Sequence, residues 1–167
     1  MGYTTEFYGA FDVTPTLTPE HRAYLAAFNK TRRMKRNATI AATLPDPIRE
    51  AAKLPIGREG GYFVGAAGFM GQDSDTSVTN YNYEPDGQPS LWCQWTPSED
   101  GTQIEWDGGE KFYNYVEWLE YWIQHFLKPW GYTLNGEISW EGEERDDMGR
   151  IIVEDNKVST KIATIVW

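Results

Sequence analysis

The feature that most constrains this chain is a change of hydrophobic period across Pro129 to Gly131. Upstream, Phe112, Val116, Leu119, Ile123 and Phe126 recur at spacings of three and four, which places them on one face of a helix. Tyr115, Trp122 and Leu127 widen that stripe, while Glu117, Glu120 and Gln124 fall on the water side. Downstream, Tyr132, Leu134, Ile138 and Trp140 alternate with Thr133, Asn135, Glu137 and Ser139, the period of a strand with one buried face. Pro129 and Gly131 stop the helix, because proline lacks an amide donor and glycine accepts left-handed dihedrals. Asp107-Gly108-Gly109 breaks the preceding strand and opens the helix, with Glu110 expected in its first turn, where negative charge suits the dipole. A helix and the strand after it, each with one face to bury, predict a helix lying on a sheet that contains that strand.

The remaining chain supplies sheet and loop. Thr5 to Val13 alternates, with Phe7, Gly9, Phe11 and Val13 on one side and Glu6, Tyr8 and Asp12 on the other. Thr18-Pro19-Glu20 reads as an N-cap followed by proline at the first helical position, with Tyr24, Leu25 and Phe28 as the buried stripe. Asp46-Pro47 opens a short helix within Pro45 to Lys53. Residues 55 to 89 form a long irregular loop rich in glycine (Gly57, Gly60, Gly61, Gly65, Gly68, Gly71), with a short strand expected at Gly61 to Val64. Ser90 to Trp95 and Thr102 to Trp106 are strands joined by Pro97-Ser98-Glu99-Asp100-Gly101. Glu141 to Asp147 is an acidic turn. Arg150 to Glu154 and Lys157 to Thr160 form a hairpin about Asp155-Asn156, and Ile162 to Trp167 reads as a last strand. This order predicts a single α+β domain over residues 1 to 167: a mostly antiparallel sheet with two main helices on one face.

Composition narrows the function. The net charge is −10 over 167 residues, against the positive footprint that broad nucleic-acid binding requires and against attraction to anionic membranes. No apolar run approaches the ~20 residues of a membrane-spanning helix, and the N-terminus lacks the basic and apolar regions of a signal peptide. The single cysteine, Cys93, permits no internal disulfide, which fits a reducing cytoplasm. Eight tryptophans predict a core dominated by large rings.

The sharpest local feature is Lys30 to Arg36, which holds five of the fifteen basic residues and no acid. Subtracting those five leaves −15 on the rest of the chain. Arg32, Arg33, Lys35 and Arg36 suit a phosphate or an acidic partner. The alternatives are a solvated helix end or an internal match for the acidic turn. Trp92 and Trp95 fall on opposite strand faces, so one of them is a candidate exposed ring. Alanine at Arg32, Arg33 and Arg36 is expected to leave the fold nearly intact and to weaken such contacts. No catalytic, metal or cofactor site is expected. His21 and His125 have no companion at ligand spacing, and His125 sits where it meets free helix carbonyls. Cys93 reads as a buried thiol. The acidic turn does not match an EF-hand loop, and the glycine-rich loop lacks the ending of a phosphate loop.

Several segments resemble a family of small, uncharacterised bacteriophage and bacterial proteins. They are Tyr3-Thr4-Thr5-Glu6-Phe7, Thr31-Arg32-Arg33-Met34-Lys35-Arg36, Leu91-Trp92-Cys93-Gln94-Trp95, Ile104-Glu105-Trp106-Asp107-Gly108-Gly109-Glu110-Lys111-Phe112-Tyr113, Leu134-Asn135-Gly136-Glu137 and Trp140-Glu141-Gly142-Glu143. The resemblance covers most of the chain and implies a phage or mobile-element accessory protein acting in the bacterial cytoplasm. It carries over no catalytic residue. The expectation is a non-enzymatic binding protein that modulates or inhibits a host protein, a defence protein being one candidate, with mimicry of nucleic acid as one version. The alternative is a small-ligand binder or enzyme using the glycine-rich loop and the basic run, and a third reading is a homo-oligomer built on the terminal strand edge. A concave pocket joining the loop to the arginines favours a ligand; a broad acidic or aromatic patch favours a protein partner.

Overall fold

A computed structural model describes residues 2–65 and 74–163. The chain is α+β, and its contacts gather into two compact units: Met1–Leu17 with Gln94–Trp167, and Thr18–Cys93.

The first unit is built on a six-stranded, fully antiparallel sheet. Its strands are β1 (Glu6–Thr14), β4 (Trp95–Pro97), β5 (Gln103–Trp106), β6 (Thr133–Glu141), β7 (Met148–Glu154) and β8 (Lys157–Ile162). They lie in the order β4-β5-β1-β6-β7-β8, with Phe7 opposite Trp140, Phe11 opposite Ile104 and Ile138 opposite Ile151. That register gathers the buried residues of each alternating strand onto one face. Phe7 is the hub: its ring centroid lies 5.5, 5.3, 5.7 and 4.9 Å from those of Trp95, Trp106, Phe112 and Tyr115. Such edge-to-face and tilted pairs add about 0.5–1.5 kcal/mol each beyond their burial.

The helix over this face starts later than the sequence predicts. It is α4, Tyr115–Trp122, continued by one π turn at Ile123–Leu127. Residues 107–114 form a loop instead, held by Gln94: its Nε2 donates to the Glu110 carbonyl at 2.7 Å and its Oε1 accepts from Trp106 Nε1 at 3.2 Å. Asp107 accepts from the Gly109 amide rather than capping a helix, and Glu110 is outside the helix. Phe112 is buried, but from this loop, 5.1 Å from Trp95. Lys128 N–H reaches the Ile123 carbonyl at 2.9 Å, the i to i+5 bond of a π turn. Of the predicted stripe, Leu119, Trp122, Ile123, Phe126 and Leu127 are buried and Tyr115 and Val116 half-buried, and Trp118, outside that stripe, is buried too.

The last hairpin turns at Asp155 and Asn156, both at positive φ (49° and 68°), the dihedrals of a type I′ turn, whose twist matches that of the strands. Asn156 also ties the turn to β6. Its Oδ1 accepts from Leu134 N at 2.6 Å and its Nδ2 donates to the Tyr132 carbonyl at 3.0 Å. Of the separate last strand expected over Ile162–Trp167, Ile162 is instead the final residue of β8 and Ala163 is coil; residues 164–167 lie outside the described residues.

The second unit contains α1 (Pro19–Asn29), α2 (Ala38–Ala41), α3 (Pro47–Ala51) and a two-stranded ribbon of β2 (Lys35–Arg36) with β3 (Val78–Asn80). Thr18 caps α1 by accepting from His21 N. Asp46 precedes α3 and is buried. It pairs with Arg49 at 2.6 Å and accepts from the amides of Val64 and Gly65. Burial pushes its carboxyl up, against the pull of Arg49 and the two amides. Gly61 to Val64 is turn and coil rather than strand, because its carbonyls are taken by side chains. Gly68, Gly71 and Asp73 fall outside the described residues.

Candidate functional site

The basic run is the internal frame of the second unit. Arg33 is 2 % exposed. Its Nη2 donates to the carbonyls of Gly61 and Phe63 at 2.8 and 3.0 Å, and its guanidinium lies 4.0 Å from the Phe28 ring centroid. Arg36 is 3 % exposed, donates through Nη1 to Asp75 and Ser77 at 2.8 Å each, and stacks on Phe63. Burial works to raise the Asp75 carboxyl, but hydrogen bonds from Ser77 and Arg36 outweigh it and hold the group below its ordinary range. Arg32 donates to the Tyr81 carbonyl at 3.1 Å and covers that ring. Lys35 lies 3.6 Å from both Glu59 and Asp86. The run is therefore matched internally. Its acids come from the long loop, not from the turn at Glu141 to Asp147. The carbonyls of Gly61 and Phe63 pair with Arg33, and Asp75 and Ser77 pair with Arg36, while Arg36 Nη2 is buried without a hydrogen-bond partner among the described residues.

The tryptophans separate. Trp95 begins β4 and is fully buried, donating to the Tyr115 carbonyl at 2.8 Å. Trp92 precedes the strand and is half-buried. The expected strand Ser90 to Trp95 is thus reduced to its last residue, and Trp92 is the more accessible ring of the two.

The other candidates are also structural. Asp147, in the acidic turn, accepts from Tyr3 Oη at 2.7 Å and Trp140 Nε1 at 3.0 Å. No group of three or more His, Cys, Asp or Glu side chains is placed to hold a metal ion among the described residues. His125 stacks on Tyr121 at 3.9 Å, and partial burial lowers its pKa. Cys93 is buried, with its carbonyl accepting from Asn29. No described helix is long and apolar enough to cross a membrane.

What the sequence reading missed is the outer face of the sheet. With Phe7, Ile138 and Trp140 turned toward α4, the alternate residues turn away from it. Glu6, Asp12, Glu137 and Glu141 come out exposed on neighbouring strands β1 and β6. Tyr8, 53 % exposed, stands among them and donates to Glu6 at 2.8 Å. On β7 and β8 the cations Arg150, Lys157 and Lys161 are exposed, with Glu154 opposite Lys157. Two open concavities of about 480 and 460 Å³ share Tyr8 and Glu141. The first also meets Met148, Arg150 and Lys161; the second meets Glu6 and Glu143. The face is thus a shallow trough, acidic with an exposed tyrosine on β1 and β6, and carrying three cations and one acid on β7 and β8. None of Arg32, Arg33, Lys35 or Arg36 lines either concavity. The alternation in β1 and β6 was the readable signal; the adjacency of those strands was not.

Charge divides in the same way. The first unit holds six Lys and Arg against seventeen Asp and Glu, or −11, and the second holds nine against eight, or +1. No protein-family model matches the chain, and no curated protein or solved structure is significantly similar to it.

Proposed function

We propose that this is a non-enzymatic binding protein of phage or mobile-element type, one that modulates or inhibits a host protein in the bacterial cytoplasm. The contact surface is the outer face of the six-stranded sheet. One observation carries this reading: of the cations that would have read a small phosphorylated ligand, Arg33 and Arg36 are buried and Arg32 and Lys35 are half-buried against partners of the second unit, while the unit with the open sheet face carries −11. A protein partner with a basic surface, including one that ordinarily holds nucleic acid, matches that face in sign.

The test is capture of partners from a bacterial lysate with the tagged full chain, analysed by native mass spectrometry. A host protein is expected to co-purify and to be released between about 0.1 M and about 1 M salt, as the screening length falls from ~10 Å to ~3 Å. The triple variant Glu6→Lys/Glu137→Lys/Glu141→Lys should lose it. A bound small mass that survives the charge reversal and leaves only on denaturation would overturn the proposal in favour of a ligand-binding protein.

A further inference from the structure

The sheet has two edges, and they differ. The β4 edge is three residues long and ends in Pro97, the kind of short, proline-bearing strand that resists pairing. The β8 edge, Lys157–Ile162, has six residues and no proline. Its outward groups follow from the ladder. Ala163 N–H donates to the Met148 carbonyl at 2.9 Å. Hydrogen-bonded pairs alternate along an antiparallel ladder, so Lys161, Ser159 and Lys157 bond to Arg150, Ile152 and Glu154 of β7. Val158, Thr160 and Ile162 therefore turn their N–H and C=O groups away from the sheet.

The side chains of this edge form two rows. Val158, Thr160 and Ile162 stand on the α4 side, opposite Val153, Ile151 and Gly149, and Ile162 is 74 % exposed. Lys157 and Lys161 stand on the outer face, Lys161 beside Arg150 and Lys157 beside the exposed Glu154, and Arg150 and Lys161 border the larger concavity. A strand laid along β8 meets an apolar, β-branched row on one side and a cationic row on the other. A second copy of the chain fits poorly: it would add its own lysines to the same row.

We propose that β8 is a strand-addition site for an extended segment of a partner protein in which acidic residues alternate with apolar, β-branched ones. Backbone pairing with Val158, Thr160 and Ile162 supplies the attachment, and the alternation supplies the specificity. This rests on the reading of the protein as a binding protein.

The probes are two labelled peptides of about nine residues, roughly a strand's length, one alternating glutamate with valine and the other lysine with valine. Fluorescence anisotropy should show the glutamate peptide binding at least about tenfold tighter to the intact protein. Lys157→Glu/Lys161→Glu, which changes only exposed side chains, should reverse that preference. Thr160→Pro removes one outward N–H and no ladder bond to β7, and should abolish binding of both. Equal binding of the two peptides, no binding of either, or indifference to these variants would overturn the inference. A wild-type dimer that Thr160→Pro dissociates would also overturn it, by assigning the edge to a second copy. A host protein still captured, and still lost from the Glu6/Glu137/Glu141 variant, while both peptides are ignored would defeat this inference and leave the proposed function standing.

Discussion

Alanine substitution within the basic run separates a structural from a ligand-reading role, and the structure reverses the expectation that the fold would be left nearly intact. Arg33→Ala removes a charged donor from the carbonyls of Gly61 and Phe63 and a cation from the face of Phe28. Hydrogen bonds to charged groups are worth about 1.5–3 kcal/mol each, and a desolvated cation–π contact about 2 kcal/mol. Relief of the buried guanidinium's own desolvation offsets part of that sum. The net cost is about 3–5 kcal/mol, enough to lower a urea midpoint by at least ~1 M. Arg36→Ala leaves Asp75 without its partner. The Asp75 side chain is 26 % exposed, so water compensates and the cost falls to about 2 kcal/mol. Arg32→Ala gives up one carbonyl bond and a half-buried stack, about 1 kcal/mol. The assay is urea unfolding read by amide hydrogen exchange in peptides from residues 18–93. Tryptophan fluorescence would report mainly the other unit, which holds seven of the eight tryptophans. An Arg33→Ala protein within ~0.5 kcal/mol of wild type, or three variants of equal stability, would refute the internal-frame reasoning.

Two further outcomes are expected. Asn156→Gly keeps the positive φ that the turn needs but loses the bonds to Leu134 and Tyr132, costing about 1–2 kcal/mol; Asn156→Ala adds left-handed strain and should melt lower still. In the β4–β5 turn, hydrogen bonds from Thr102 and Ser98 hold the Asp100 carboxyl down at about 2. A folded pKa below the unfolded one contributes stability above the unfolded value of 3.8 that is lost as pH falls toward 2. Asp100→Asn should therefore be less stable than wild type at neutral pH, with the difference closing across that acidic window in thermal melts followed by circular dichroism.

The parts of the fold legible beforehand are those with local causes. The period change at Pro129 to Gly131, the alternation of β1 and β6, the Thr18 cap and the Asp155-Asn156 turn each depend on residues a few positions apart, so spacing was enough to find them. The missed helix start had a non-local cause. Asp107-Gly108-Gly109 is a competent helix opening, but Gln94 holds the loop and Phe112 is drawn into the ring cluster about Phe7, so the helix begins only after Asn114. The arginines were misread for the same reason. A run of five cations has one appearance in sequence whether it faces water or the carbonyls of a loop 28 to 30 residues further on.

What the sequence alone determined is the α+β class and the main periodic elements, β1, α1, the body of α4, β6 and the β7–β8 hairpin, with the apolar face of each. Tertiary structure decided which charges remain available. Folding the glycine-rich loop onto Arg33 and Arg36 removed those cations from solvent, because buried carbonyls and a buried guanidinium each lose water and must pair. Pairing β1 with β6 brought Glu6, Tyr8, Glu137 and Glu141 onto one open face. Those residues stand about 130 positions apart in the chain, and nothing nearer than the sheet register brings them together.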